Sequence, residues 1–247
     1  MKLLKLSILL FFISTTLTAQ PLEGRVVYEK ESYWTRIYSR LTFLSREEKD
    51  RIATTYKNME SYKTKMELFF TDTKSLYTYP EEKENDGGYS WSNSEHLMYR
   101  DFENQNRTEM LQLIGKVYVI EDSLNAPTWK VMNEIKEIQG HICMKAVTHN
   151  AAKDQEITAW FASDIPVSAG PEEYFGLPGL ILELDINNGD VIITAVKLEL
   201  KSVSEKIKLP RKMKGKKINY EQYNTLISEH ISSSMKTHRN PYWSIPY

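Results

Sequence analysis

Apolar and polar residues alternate along most of the chain, which is the pattern of half-buried β-strands. In the first run, residues 24–33, Val26 and Tyr28 fall on one side while Val27 and Glu29 fall on the other. Short runs of the same kind follow, divided by polar or glycine-containing turns. The pattern predicts roughly ten strands, drawn from eleven strand-like runs at residues 24–33, 63–71, 74–79, 96–103, 107–114, 116–121, 129–135, 136–149, 155–162, 180–186 and 191–200.

Two stretches change to the helical period of 3.6 residues. The early one, residues 45–62, begins at Ser45, a suitable N-cap, and the late one covers residues 220–236. We expect the strands to form one long, curved antiparallel sheet or half-barrel, with the early helix covering the sheet. The predicted fold class is therefore mainly β (α+β).

The amino terminus has the order of features of a secretory signal peptide. Lys2 and Lys5 precede an apolar stretch that ends near the small residue Ala19. This stretch is shorter than the roughly 20 apolar residues of a transmembrane helix. We therefore predict a signal peptide at residues 1–20 and one β-rich domain with a C-terminal helix and tail at residues 21–247. The mature chain is expected in the periplasm, at the outer membrane or outside the cell, without a transmembrane segment.

The charge balance and the cysteine content exclude some classes of function and of covalent structure. The chain has 32 basic and 33 acidic residues, a net charge of -1, and its basic cluster at residues 206–217 is interpreted as a solvated loop. Nucleic-acid binding is not expected, because such domains usually carry a basic face. A single cysteine, Cys143, excludes an internal disulfide and is expected to be a small buried hydrophobe.

The most distinctive segment joins two predicted strands and is rich in glycine and proline. Its glycines permit positive φ or a close backbone approach, and its prolines fix φ, so a stiff loop that folds back on the sheet is predicted. The residues of interest are Gly170, Pro171, Gly176, Leu177, Pro178, Gly179, Leu180 and Ile181.

Residues 176–181 read Gly-Leu-Pro-Gly-Leu-Ile, the hexapeptide after which the GLPGLI family is named. The strand at residues 159–161 and the strand around Cys143 also resemble that family's pattern. The resemblance is tight over residues 127–200 and looser over residues 24–126. It implies an exported protein of Gram-negative bacteria with no established activity. It also implies a likeness to periplasmic lipoprotein carriers, which are open half-barrels around an apolar cavity.

Recognisable catalytic chemistry is sparse. The five histidines lack the spacing of a zinc site, and no nucleophile elbow, phosphate loop or dinucleotide fingerprint is present. Glu172 and Glu173 lie in the glycine-rich segment, but neighbouring residues on a loop usually point apart. We therefore assign no catalytic residue, metal or cofactor. An enzyme is the less favoured interpretation, and its form would be a hydrolase using Glu172, Glu173 or a histidine.

Aromatic side chains are plentiful, with 15 Tyr and 5 Trp, and they suit the lining of a ligand site. We expect a noncatalytic envelope protein whose curved sheet binds an apolar ligand, a lipid or an envelope protein. The alternative is a structural or assembly component that acts through residues 170–179 and the aromatic tail at residues 240–247. Candidate contact residues are Tyr89, Trp91, Trp160, Tyr174, Phe175, Tyr242 and Trp243.

Overall fold

A computed structural model describes residues 22–81 and 95–247. The predicted signal peptide and the candidate contacts Tyr89 and Trp91 lie outside the described residues. Within them, no helix combines the length and the apolar character needed to cross a membrane. In chain order the elements are β1 Gly24–Ser32, α1 Trp34–Ser39, α2 Arg46–Thr55, β2 Tyr62–Phe70, β3 Lys74–Thr78, β4 His96–Asp101, β5 Asn106–Leu113, β6 Lys116–Ser123, β7 Lys130–Ile138, β8 His141–Asn150, β9 Gln155–Ala162, β10 Leu180–Ile186, β11 Val191–Leu200, β12 Lys216–Ile218 and α3 Tyr220–Lys236.

The strands form a single 12-stranded sheet in the order β12-β6-β5-β4-β3-β2-β1-β11-β10-β9-β8-β7. Neighbouring strands are antiparallel except β12, which runs parallel to β6. The mainly β class and the open, curved antiparallel sheet are confirmed, although there are more strands than the ten or so predicted. Because β1 lies between β2 and β11, it joins two meanders, β2 to β6 and β7 to β11.

The predicted boundary between the strands at residues 129–135 and 136–149 is wrong. β7 continues to Ile138, and the chain turns at Gln139 and Gly140, whose φ angles are 51° and 79°. Two successive residues with positive φ match the tight hairpin turn that follows the twist of the flanking strands.

The early helix is shorter than predicted and does not cover the sheet. Instead of one helix at residues 45–62, there are two short ones, α1 and α2. Ser45 caps α2 in a reciprocal capping box with Glu48, as its residue type predicted, but the helix ends at Thr55 and none of its residues is buried. Tyr56, just after α2, stacks on Tyr38 of α1 with ring centroids 6.2 Å apart. α2 therefore packs on α1.

The late helix is confirmed with the predicted bounds. The Asn219 side chain accepts a hydrogen bond from the Gln222 backbone N–H, and the Gln222 side chain accepts one from the Asn219 backbone. Tyr223 and Ile227 on one side of the helix are buried in the main core. α3 is thereby fixed against β6.

The two faces of the sheet differ in polarity. The inner face, which carries α3 and residues 163–179, holds the main core. The outer face carries ion pairs across neighbouring strands, such as Arg25 with Glu67 and Glu199. A smaller core also lies on the outer face, where residues 201–209 cross it; its buried members are Phe69, Leu76, Leu97, Val203 and Ile207.

Candidate functional site beneath the glycine-rich segment

Residues 163–179, the glycine-rich segment, lie folded against the inner face between β9 and β10. The Ile181 N–H donates to the Ala169 carbonyl at 3.0 Å, and the hydroxyl of Tyr28 in the central strand donates to the Ile181 carbonyl at 2.6 Å. Gly176 and Pro178 are exposed, whereas the other motif residues are buried: Gly170, Pro171, Leu177, Gly179, Leu180 and Ile181. This burial agrees with an interpretation of the hexapeptide as a structural turn.

Two glycines of the hexapeptide have backbone reasons to be glycine. Gly176 has a φ of 91°, a conformation that L side chains rarely adopt. At Gly179, a Cβ atom would overlap the backbone carbonyl of Ala162 in β9. Gly179 therefore sets how closely the end of the segment approaches β9.

Glu172 lies between basic side chains from two strands. Its carboxylate is 2.7 Å from Lys30 Nζ of β1 and 3.5 Å from His96 Nε2 of β4. Arg100 of β4 donates to the backbone carbonyls of both Gly170 and Glu172. Burial alone would raise the pKa of Glu172, but the neighbouring Lys30 and His96 hold that pKa well below its usual range. Glu172 is therefore an anion that ties the segment to the sheet.

The low pKa of Glu172 predicts a loss of stability in acid. Because the folded-state pKa lies below the ordinary value of 4.5, the stabilisation is complete above that value and is lost as the pH falls towards the folded-state pKa. We expect the urea midpoint of the wild type to fall more steeply between about pH 6 and about pH 3 than that of Glu172→Gln, which cannot titrate there. Parallel profiles would show that Glu172 is not the titrating group.

Glu173 contacts a different set of side chains. Its Oε1 atom is 3.1 Å from Lys153 Nζ and accepts a hydrogen bond from Asn150 Nδ2 at 3.0 Å, and its Oε2 atom accepts one from the Tyr220 hydroxyl at 3.0 Å. Asn150 and Lys153 belong to the β8–β9 turn, and Tyr220 begins α3. The two adjacent carboxylates therefore have separate partners and do not form an acid and base pair.

Two arginines and a glutamate from β4 and β5 lie below the segment. Arg100 and Arg107 are directly opposite in the strand register and both are buried. Like charges at such positions repel, and Glu109, 3.8 and 3.7 Å from the two guanidinium groups, offsets that repulsion. The Phe175 ring lies 5.0 and 5.5 Å from them. We call this set the charged cluster: Lys30, His96, Arg100, Arg107, Glu109, Lys153, Glu172 and Glu173.

Several buried polar atoms of the charged cluster have no hydrogen-bond partner within the described ranges: His96 Nε2, Arg100 Nε, Arg107 Nε and Nη1, and Glu109 Oε1. Each such atom costs about 1–3 kcal/mol. The cluster tolerates this cost because the charges still compensate one another at short range. Most of its acids and bases are buried and lie within ion-pair distance of one another, so the cluster anchors the glycine-rich segment. Sequence reasoning missed the strand residues of this cluster.

The aromatic candidates do not share one surface. Tyr174 and Phe175 are buried beneath the segment, whereas Trp160 lies on the outer face with Lys136 Nζ 4.5 Å from its ring centroid. Tyr242 packs edge-on against Tyr247 in the C-terminal tail. The described aromatic residues named from the sequence therefore do not line a common binding site.

The aromatic tail docks on its own chain. The Ile114 N–H donates to the Ser244 carbonyl at 2.7 Å, and Asn187 Nδ2 donates to the Tyr247 hydroxyl at 2.8 Å. Tyr247 is buried, while Trp243 remains 74% exposed. Of the tail, Trp243 offers the largest exposed apolar side chain.

The remaining reactive side chains are occupied or inert. Cys143 is buried, and desolvation raises the pKa of its thiol to about 11, so it is protonated at neutral pH. His141 pairs with Asp164 at 2.7 Å and His149 with Glu156 at 2.9 Å. Across residues 22–81 and 95–247, no three His, Cys, Asp or Glu side chains are grouped to hold a metal ion.

Two shallow, open grooves flank α3, with volumes of about 520 and 620 Å³. The larger is lined mainly by polar side chains, together with Tyr220, Ala151 and Ala152, and Ser228 borders both grooves. Neither groove has the form of the enclosed apolar cavity that the carrier resemblance implies.

An exposed apolar surface at one end of the sheet was also missed by sequence reasoning. Val131 and Ile135 of the terminal strand β7 are 47% and 68% exposed, and Ile142 of β8 is 56% exposed. Val131 pairs with the buried Ala146 and Ile135 with Met144, which places all three exposed side chains on the inner face. We call Val131, Ile135 and Ile142 the edge patch. A correct β7–β8 boundary would have revealed it, because all three then fall on one face.

A family model described as "Protein of unknown function (Porph_ging)" matches residues 148–183. The matched stretch runs from the end of β8 through the glycine-rich segment into β10, and it includes the hexapeptide. The match does not carry the GLPGLI name, so membership of that family stays a prediction. No curated protein is significantly similar to the chain.

Two solved structures of a protein named PNGF-II are similar to this chain. The structure in space group P21 has a TM-score of 0.55 and the one in C2 a TM-score of 0.53, each at 14% sequence identity. The similarity covers 83% of this chain in both cases, but 33% and 32% of PNGF-II. The chain thus spans about a third of the length of these structures, and the likeness is one of fold alone.

Proposed function

We propose that this chain is an exported, noncatalytic envelope protein of the GLPGLI family that binds an extended segment of another envelope protein along β7. The observation that carries this proposal is the edge patch, three exposed apolar side chains beside a terminal strand. We place the mature protein in the periplasm or at the outer membrane, as its amino-terminal sequence indicates.

The backbone of β7 supports binding of an extended partner. β8 pairs with one side of β7, and no described strand lies on its other side. A terminal strand presents unpaired N–H and C=O groups, which an added strand can satisfy. Alternate side chains of that added strand would then face the edge patch, which supplies apolar contacts and therefore selectivity.

Burial on the inner face favours a protein partner over an enclosed lipid. The glycine-rich segment covers the central strands, α3 packs against β6, and the apolar side chains beneath them are buried. The edge patch is the exposed apolar surface that continues this face beyond the covered region. An extended peptide fits a narrow surface beside a strand edge better than a lipid, which requires a deep apolar enclosure.

The charged cluster supports the noncatalytic part of the proposal. A general acid or base must reach a substrate proton, and Glu172 and Glu173 are instead buried against Lys30 and Lys153. We therefore do not favour the hydrolase alternative.

Photo-crosslinking in the cell envelope tests the proposal. Ile135, or Leu200 as the control, is replaced by a photo-reactive amino acid; Leu200 is 56% exposed at the end of β11, away from the edge patch. We expect position 135 to give a discrete polypeptide adduct, identified by mass spectrometry, and position 200 to give none. Equal labelling at both positions, a lipid adduct or no adduct would contradict the proposal.

The variant Ile135→Asp distinguishes an effect on partner binding from an effect on folding. Ile135→Asp should reduce crosslinking from position 142 by roughly tenfold, because it places a charge in the apolar contact. Its thermal midpoint should match that of the wild type, since the side chain is largely exposed. Adducts that consist of a second copy of this chain would point to self-association and would likewise count against an envelope partner.

A further inference from the structure

Near the β8–β9 turn, the amine of Lys153 and the side-chain amide of Asn150 both contact the carboxylate of Glu173. Lys153 Nζ lies 3.1 Å from Glu173 Oε1, and Asn150 Nδ2 donates to that same oxygen at 3.0 Å. Lys153 and Glu173 are buried, although a lysine three residues from an asparagine in a turn would ordinarily extend into water. The turn instead brings a primary amine and a carboxamide to one carboxylate oxygen.

The carboxamide of Asn150 is also polarised. Its Oδ1 atom accepts hydrogen bonds from the backbone N–H groups of Ala152 at 3.1 Å and Lys153 at 3.2 Å. Two fixed N–H donors on one oxygen stabilise the negative charge that develops there when a nucleophile adds to the carbonyl carbon. On the other side, Asn150 Nδ2 also donates to the Tyr174 hydroxyl at 3.2 Å. Backbone N–H groups thus fix the amide oxygen, while Glu173 and Tyr174 fix the amide nitrogen.

We propose that Lys153 and Asn150 form an intramolecular isopeptide bond, with Glu173 as the proton carrier. Glu173 takes a proton from the Lys153 ammonium, and the free amine attacks Cγ of Asn150. The new Nζ–Cγ bond forms, the Cγ–Nδ2 bond breaks, and ammonia leaves with the protons that Glu173 relays, as ammonium. No oxidant, metal or second substrate is needed. The reaction occurs once per chain and fixes the β8–β9 turn covalently.

Neighbouring side chains hold the reacting groups in place. The Tyr220 hydroxyl donates to Glu173 Oε2 at 3.0 Å and holds the carboxylate in place. Tyr174 is buried next to Asn150. Holding reactants in one orientation is a large source of rate enhancement, because the entropy of their encounter is already lost.

Peptide mapping of the folded, full-length secreted protein tests the bond. Trypsin cleaves after a free lysine, so an unlinked chain gives the peptide of residues 146–153. In the linked chain Lys153 resists cleavage, and the peptide should run from residue 146 to Lys197 with the mass of one ammonia missing. Recovery of the unmodified 146–153 peptide from most of the protein would overturn the proposal. Mapping is needed because the intact mass alone would not show which residue has lost the ammonia.

Three variants identify the participants. Lys153→Arg keeps a cation beside Glu173 but cannot form the bond, and Asn150→Ala removes the electrophile, so both should restore the full mass of the peptide that contains position 150. Glu173→Gln keeps hydrogen-bonding groups but lacks the proton carrier, and should leave most chains unlinked. If Lys153→Arg still lost ammonia at Asn150, the product would be a succinimide and the proposal would be wrong.

Discussion

Replacing Glu172 with alanine should lower the free energy of unfolding by about 3–5 kcal/mol, the usual cost of removing one partner from a buried ion pair. The variant leaves Lys30 and His96 without their carboxylate on the inner face. It also weakens the anchor of the glycine-rich segment. Urea unfolding followed by tryptophan fluorescence measures the change.

Glu199→Ala is the matched control, because Glu199 also pairs with basic side chains, those of Arg25, Lys197 and Lys201. Those ion pairs lie on the outer face, where solvent screens them, so a much smaller loss of stability is expected. A loss of similar size in both variants would show that burial of the charged cluster is not what makes Glu172 stabilising.

Gly179→Ala should cost about 3 kcal/mol or more, because the added Cβ overlaps the backbone carbonyl of Ala162 and neither backbone can move without breaking strand pairing. Gly115→Ala is the control. Gly115 has a positive φ, 71°, but within residues 22–81 and 95–247 no atom beyond its chain neighbours lies within 4 Å of the point that an added Cβ would occupy. Only backbone strain of about 1–2 kcal/mol is therefore expected. Thermal and urea unfolding of both variants give the comparison. Equal losses would mean that the close approach at Gly179 is unimportant.

Strands with strict alternation and a clear turn were predictable from the sequence. β9, β10 and β11 have the predicted bounds, since the turns beside them contain asparagine, glycine or aspartate. The C-terminal helix was equally clear, because Asn219 caps a run with helical spacing. Local chemistry alone fixed these boundaries.

Short elements were not predictable in the same way. α1 has six residues, including Trp34 and Ile37, whose intrinsic helix propensity is modest. β12 has three residues and forms by pairing with β6, which is distant in sequence. Such elements depend on tertiary contacts that a local pattern does not contain.

The charged cluster could not be recognised in the sequence, because charged and apolar residues follow one another on the same face of a single strand. In β5, Arg107 and Glu109 share the inner face with Leu111 and Leu113, and all four are buried. An alternating charged pattern normally indicates a solvent-facing side. Glu172 and Glu173 were recognised as candidates, but their partners come from β1, β4 and the β8–β9 turn, and a sequence cannot bring these together.

Because β1 lies in the middle of the sheet, its two neighbouring strands, β2 and β11, are synthesised at different times. Arg25 of β1 and Glu199 of β11 are 174 positions apart. At roughly 5–20 residues per second, β11 leaves the ribosome on the order of ten to thirty seconds after β1. During that interval β1 can pair with β2 on one side only, and its other edge is open to strands of other chains. The middle of the sheet is therefore among the last parts to close, and a chain that stops before β11 lacks half of its central pairing.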